Sequence, residues 1–215
     1  MKKFFLAAIL SIFAVAAMAQ DRPTYIINAG YQGANLHYND KESDNKMKPA
    51  FRVGVAVDFP VYYFGAGELS IQPGLYYSAK GSKVSNKLYE YNVNLGYIEM
   101  PILANVRFGV TQDVNVFVNA GPYLAYGVYS SSSSKLLGKE VGKEGDALDL
   151  YKDAFKKDGA LKPFDAGIQV GAGAEYKRIM LAVGGQFGLS NINNVAKDDF
   201  KTTNSTFFVT LGYRF

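Results

Sequence analysis

The amino-acid sequence predicts an all-β protein: an eight-stranded antiparallel up-and-down transmembrane β-barrel. Three observations predict it. Apolar residues recur at every second position through most of the chain, which places them on one face of extended strands. The connections between these stretches alternate long and short. The chain opens on an export signal, and no later apolar stretch is long enough to cross a bilayer as a helix.

Composition excludes several classes. With 215 residues, 48% hydrophobic and 20% charged, and with 16 Tyr and 15 Phe, the chain has the apolar content of one folded domain. It has no Cys, so no disulfide scaffold can be built, and 22 Gly without a three-residue repeat exclude a collagen-like chain. The formal charge is +4, but two of the 23 basic residues, Lys2 and Lys3, sit in the leader, leaving 21 against 19 acidic residues. That balance is too weak to argue for a nucleic-acid partner.

The leader comes first in chain order. Lys2 and Lys3 precede an apolar run from Phe4 to Ala17 interrupted by Ser11 alone, and Ala17-Met18-Ala19 then stands before Gln20-Asp21-Arg22-Pro23. A basic start, a short apolar run and an A-x-A site describe a secretory signal peptide over 1–19, cut between Ala19 and Gln20. A membrane-crossing helix needs about 20 apolar residues, more than this run offers. No Cys follows the site to carry a lipid, so residues 20–215 form the exported barrel domain.

Eight strands follow, at 24–38, 49–60, 68–80, 91–108, 114–129, 163–176, 179–191 and 204–215. The first, fifth and seventh alternate weakly. In the second, Phe51, Val53, Val55, Val57 and Phe59 oppose Arg52, Gly54, Ala56 and Asp58. In the third, Leu69, Ile71, Leu75 and Tyr77 oppose Ser70, Gln72, Gly74, Tyr76 and Ser78. The fourth sets Ile98, Met100, Ile102, Ala104, Val106 and Phe108 against Glu99, Pro101, Leu103, Asn105 and Arg107. The sixth sets Phe164, Ala166, Ile168, Val170, Ala172, Ala174 and Tyr176 against Asp165, Gly167, Gln169, Gly171, Gly173 and Glu175. The eighth sets Phe207, Val209, Leu211, Tyr213 and Phe215 against Phe208, Thr210, Gly212 and Arg214. Tilted membrane-spanning strands need about 9–11 residues, which these supply.

The connections 39–48, 81–90, 130–162 and 192–203 are long, whereas 61–67, 109–113 and 177–178 are shorter. If successive strands are antiparallel neighbours, the long ones all emerge at one end. Long outer loops and short periplasmic turns on an even strand count describe an outer-membrane barrel.

A soluble eight-stranded barrel shares the period but keeps its apolar face inside, and a soluble sandwich solvates its charged face. Here the apolar face carries aromatics toward the strand ends, and Phe51 to Phe59 covers roughly 20 Å along the normal, near the height of an apolar band between two aromatic girdles. The charged face therefore lines a small lumen. Arg52, Asp58, Glu99, Arg107, Asp165, Glu175 and Arg214 are expected to pair there, because an unpaired buried charge is costly. Gly212-Tyr213-Arg214-Phe215 has the form of the signal by which the outer-membrane assembly machinery recognises barrels, with Tyr213 and Phe215 its aromatic positions.

The runs Phe51-Arg52-Val53-Gly54-Val55-Ala56-Val57-Asp58-Phe59-Pro60, Leu69 to Gly81 and Leu95 to Leu103, followed in order by Phe164-Asp165-Ala166-Gly167, Gly171-Ala172-Gly173 and Phe187 to Ile192, resemble those of the PorT-like outer-membrane β-barrel family. The resemblance implies an eight-stranded barrel in the outer membrane of a Gram-negative cell. The founding member is tied to a protein secretion apparatus, and most relatives have no assigned role. The long insertion at 130–162 departs from the pattern.

Residues able to carry catalysis are few. His37 is the only His, so with no Cys a His-rich or thiolate metal site cannot be assembled, and no cofactor is implied. It lies at the outer end of the first strand, where some lipid-modifying barrel enzymes keep a catalytic His, and Ser82 or Ser130 to Ser134 with an acid such as Glu42 could complete a triad. Nothing in the local sequence fixes that geometry, and a rim histidine is the plainer reading. Gly171-Ala172-Gly173 relieves crowding on a strand face and precedes no helix, so it is not a phosphate loop. The 130–162 connection reads as polar loop around Ser130 to Ser134, with one short amphipathic helix placing Leu148, Tyr151 and Phe155 on one face behind Asp146. The leading expectation is a non-enzymatic outer-membrane barrel with a structural or anchoring role, embedded in membrane lipid and meeting an envelope or secretion protein through its outer loops. A narrow channel or small-ligand barrel using the charged lumen is the alternative, and an enzyme using His37 a remote one.

Overall fold

The structure, a computed structural model, describes residues 23–38, 47–85, 89–136, 139–140, 154–155, 159–194 and 202–215, with backbone alone at 36–38, 82–85, 89–91, 133–136 and 139–140. The leader with Ala17, Ala19 and Gln20, residues 146–153 of the expected short helix, Glu42, and the side chains of His37, Ser82, Ser133 and Ser134 lie outside what is described.

Eight strands form the wall: β1 (Thr24–Tyr38), β2 (Lys48–Phe64), β3 (Gly67–Ser85), β4 (Tyr89–Gly109), β5 (Val114–Leu136), β7 (Phe164–Tyr176), β8 (Ile179–Gly188) and β9 (Thr202–Arg214), with β6 (Lys139–Glu140) a short addition to β5. Each pairs antiparallel with its chain neighbours, β9 returns to β1, and β4–β5 pairing completes the ring, so the sheet closes on itself. No helix among the described residues is long and apolar enough to cross a membrane. Such a chain crosses with strands, whose backbone groups are satisfied around the closed ring.

The short connections gather at one end. Gly65-Ala66 joins β2 to β3, residues 110–113 join β4 to β5, and Lys177-Arg178 joins β7 to β8. Gly65 at φ 56° and Lys177 at φ 57° adopt the left-handed backbone that two-residue hairpins require. The other end differs from expectation. The 81–90 connection shrinks to 86–88, and β5 runs through the serines to Leu136, because Tyr89 to Gly96 of β4 pair with Leu136 to Tyr129 along the ladder. Serine is a poor strand former on its own, and the cross-strand ladder overrides composition. At the seventh strand the reverse holds: β8 ends at Gly188, and residues 189–191 leave the wall.

Alternation places the faces as expected. Tyr25, Ile27, Val53, Val55, Leu75, Val118, Ile168, Leu181 and Leu211 are exposed, while Arg52, Asp58, Ser70, Gln72, Ser78, Asn105 and Gln186 point inward and are buried. Phe59 is a correction: it is 8% exposed, not a girdle residue. A register shift between Pro60 and Tyr62 adds a bulge beside it, and the exposed aromatics at that end of β2 are Tyr62, Tyr63 and Phe64 instead. Exposed Tyr25, Phe108, Tyr176, Tyr213 and Phe215 lie at the same end, and Tyr31, Phe51, Tyr126, Tyr129, Phe187 and Phe207 toward the other.

Candidate functional site: a sealed, charged lumen

The strand registers bring the inward charges to two levels. At the short-turn level, Glu68 of β3 stands opposite Arg107 of β4. Asp58, Glu175 and Arg214 arrive there from β2, β7 and β9. Asp58 Oδ2 accepts from Arg107 Nη2 at 3.0 Å and from Arg214 Nη2 at 3.2 Å, with Asp58 fully buried. Arg107 reaches Glu68 at 3.2 Å and Glu175 at 3.5 Å, and Arg214 reaches Glu175 at 3.5 Å. Two guanidiniums and three carboxylates from five strands thus fill one cross-section. Asp58, Arg107, Glu175 and Arg214 belong to the network anticipated from sequence. Glu68 is absent from the network expected from sequence, although it opens the strand expected over 68–80 and shares the inward parity of Ser70 and Gln72.

Nearer the long-connection end, Lys80 Nζ lies 2.7 Å from Glu99 Oε1 and 3.7 Å from Asp165 Oδ2, all three side chains buried. Arg52 is farther from Glu99, at 3.9 Å, and its guanidinium sits 4.5 Å from the Tyr76 ring centroid and 4.2 Å from that of Phe208. The Lys80 ammonium stands over the rings of Tyr97 and Tyr123 as well, an arrangement that favours a cation in a dry setting. Asp165 accepts from Asn204 at 2.8 Å, Ser190 at 2.7 Å and the Tyr123 hydroxyl at 3.3 Å. Gln186 donates to Glu99 at 3.0 Å and to Gln169 at 2.9 Å. Lys80, the central cation, is absent from the sequence-derived set although the inward series Ser70, Gln72, Gly74, Tyr76, Ser78 reaches it at the next step.

Between the two levels lies a cavity of about 50 Å³, lined by Asn28, Arg52, Gln72, Asn119 and Gln169 among others. Arg52 Nε and Nη1 and the Oδ1 atoms of Asn28 and Asn119 have no protein hydrogen-bond partner. The space suits a few waters, which polar walls of this kind hold.

The outer mouth is closed by residues expected to be loop. Ala154, Leu161 and Ile192 pack with Val93, Leu95, Tyr97, Tyr123 and Ala125, and Phe155 lies against this cluster with its ring 5.3 Å from Tyr97, edge to face. Gly127 makes the seat: a Cβ there would come within 2.4 Å of the Phe155 ring. The Ala154 amide donates to Ser130 Oγ at 2.9 Å, the Leu161 amide to Ala154 O at 2.9 Å, and the Lys162 amide to Ile192 O at 2.7 Å. Phe155 was assigned to a surface helix; its residue is a turn here, and its ring packs inward. Ser130 thereby serves the plug, while Ser131 accepts from Asn94. The backbone of His37 pairs with Thr203 in β1–β9. Among the described residues no group of three or more His, Cys, Asp or Glu could hold a metal ion.

Tyr213 and Phe215 face outward at the short-turn end with ring centroids 5.0 Å apart.

Comparison with known proteins fits this geometry. Solved structures with the same fold include the outer membrane enzyme PagL, at 11% identity over 87% of this chain and 98% of that one with a TM-score of 0.50. The attachment invasion locus protein Ail of Yersinia pestis aligns at 13% identity over 91% of this chain and all of its own, TM-score 0.42. Neisserial surface protein A gives the same identity, coverage and TM-score. At such identities the likeness is one of fold alone. A search of curated protein sequences gives no match. Residues 18–194 match the family described as outer membrane protein beta-barrel domain. The chain therefore belongs to that family, as a closed eight-stranded barrel of the outer membrane.

Proposed function

We propose that this barrel is a non-enzymatic, non-conducting anchor in the outer membrane that holds its outer connections for a partner protein of the envelope. The observation that carries the reading is the double closure of the lumen. Charge pairs cross it at two levels, and the Ala154, Phe155, Leu161 and Ile192 plug fills the outer mouth. An eight-stranded barrel has an interior just wide enough for side chains to fill, and here they leave only about 50 Å³ between the two charge levels. What remains for function is the outer surface, where β3, β4 and β5 extend beyond the aromatic ring as a paired ledge over Lys83 to Ser85, Tyr89 to Asn92 and Ser133 to Leu136.

The PorT-like resemblance supports a secretion-related partner as the finer form of this reading. The leader supports export with cleavage after Ala19, giving a mature chain that begins at Gln20. Intact mass of the protein from native membranes checks that point, the expected loss being residues 1–19.

The test is affinity purification from native outer membranes in mild detergent, with boiled and unboiled samples on one gel. A compact heat-modifiable band with a second protein in fixed ratio is the expected result, and a compact band alone under crosslinking as well would contradict the anchor role. His37→Ala is expected to leave the envelope lipid profile unaltered by mass spectrometry. A changed profile would overturn the non-enzymatic reading.

A further inference from the structure

The ladder between β2 and β3 stops before the strands do. Pairing runs from Phe64 with Gly67 to Arg52 with Ser78, yet β2 begins at Lys48 and β3 continues to Ser85. Over that stretch each strand stays paired on its far side, Lys48 to Phe51 with β1 and Ala79 to Ser82 with β4. The wall is therefore parted between two ordered strands. Pro49 has no N–H to give the ladder, and Gly81, at φ 141°, takes β3 out of extended geometry at the same level.

A cleft of about 350 Å³ occupies the parting, within the size range of small-molecule sites. Its outward lips are aromatic. Phe51 and Tyr77 meet with centroids 5.8 Å apart where the ladder resumes, and Tyr129 stands beside them. At its outer end Lys48 reaches across β3 to donate to Val93 O and Asn94 Oδ1 of β4, so its ammonium is held at the cleft. Lys80 closes the inner side, its charge already met by Glu99 and Asp165. Among the described residues no carboxylate lines the cleft.

Phe51 and Tyr129 belong to the exposed aromatics of the long-connection end, so the cleft opens at the height of outer-leaflet head groups. Between 49–51 and 79–82 the ladder has no pairs, so the backbone groups that point into the parting lack ladder partners there. In hydrocarbon each unsatisfied group costs several kcal/mol. Gln32 of β1 answers one of them by donating to Ala79 O. A hydrocarbon tail can answer none; an occupant with acceptor oxygens can.

We propose that this cleft binds one phosphorylated lipid of the outer leaflet. The anionic head group lies against Lys48 and the parted amides, and an acyl chain runs along Phe51, Tyr77 and Tyr129. The site lies on the wall and stands independently of the anchor reading.

The test is native mass spectrometry of the full chain released from phosphatidylcholine nanodiscs doped with lipid A. Wild type is expected to retain one lipid A and no phosphatidylcholine. Lys48→Gln is expected to lower retention about tenfold, the loss of one charged hydrogen bond. Ala79→Phe, which fills the cleft, abolishes it, whereas Leu181→Phe on the opposite wall leaves it unchanged. Heat-modifiability on a gel checks that each variant is folded, and should Ala79→Phe not fold, Lys48→Gln and competition still decide. Excess inorganic phosphate is expected to leave the lipid bound. Unchanged retention in Lys48→Gln, equal retention of phosphatidylcholine, or displacement by phosphate alone would overturn the proposal.

Discussion

Asp58 is the residue on which the short-turn charge cluster turns, because both guanidiniums of the lumen's lower level donate to one of its oxygens. Removing one member of a buried charge cluster leaves the others uncompensated, which costs about 3–5 kcal/mol. Asp58→Asn is accordingly expected to lower the urea midpoint of the barrel in lipid vesicles by an amount of that order, while Ser205→Ala on the outer part of β9 leaves it near wild type. A change below about 1 kcal/mol would mean the arginines find other partners, since that is the scale of exposed pairs. At this scale the sequence was largely readable. A period of two assigns Arg52, Asp58, Glu99, Arg107, Asp165, Glu175 and Arg214 to one face without any knowledge of the ring. It could not reveal which of them meet, because Glu99 and Gln186 touch across the lumen from strands far apart in the chain. Phe59 escapes the rule because the bulge at Pro60 and Tyr62 reshapes the wall beside it.

At the scale of elements, the plug and the extended strands carry the account. Phe155 is seated by the missing side chain of Gly127, so Gly127→Leu is expected to expel it. Added protease should then cut around Ala154 to Lys162 in intact cells, where wild type resists. Equal resistance in the variant would show that the remaining contacts, Leu161 and Ile192 with the inner wall, suffice without the ring. The transmembrane portions of the strands follow from alternation, but their outer ends do not. Ser130 to Ser134 has the composition of a loop, and it becomes strand through pairing with Tyr91 to Leu95, a long-range effect that no local pattern reports. The 189–191 segment errs the other way: Leu189 and Ser190 keep the alternation of β8, yet the Ile192 that follows is drawn into the plug, and Asp165 captures the Ser190 hydroxyl.

At the largest scale the described residues form a closed ring with paired charges in the lumen and two belts of exposed aromatics on the outside. The even strand count and the lipid-facing side were legible because the period of two recurs in every strand, whereas the length of the third connection was not, since 86–88 is shorter than 110–113 once the strand ends pair. The parting between β2 and β3 was not legible either, since each strand stays paired on its far side while the ladder between them lapses. The charge pairs at two levels and the plug carry the central claim of the proposed role, that the barrel does not conduct ions. Planar-bilayer recording of the purified, folded full chain measures this directly. The account predicts a silent membrane at voltages where porins conduct. Reproducible unitary steps from wild type, altered in size by Asp58→Asn or by Gly127→Leu, would contradict it and make the charged lumen a conduction path.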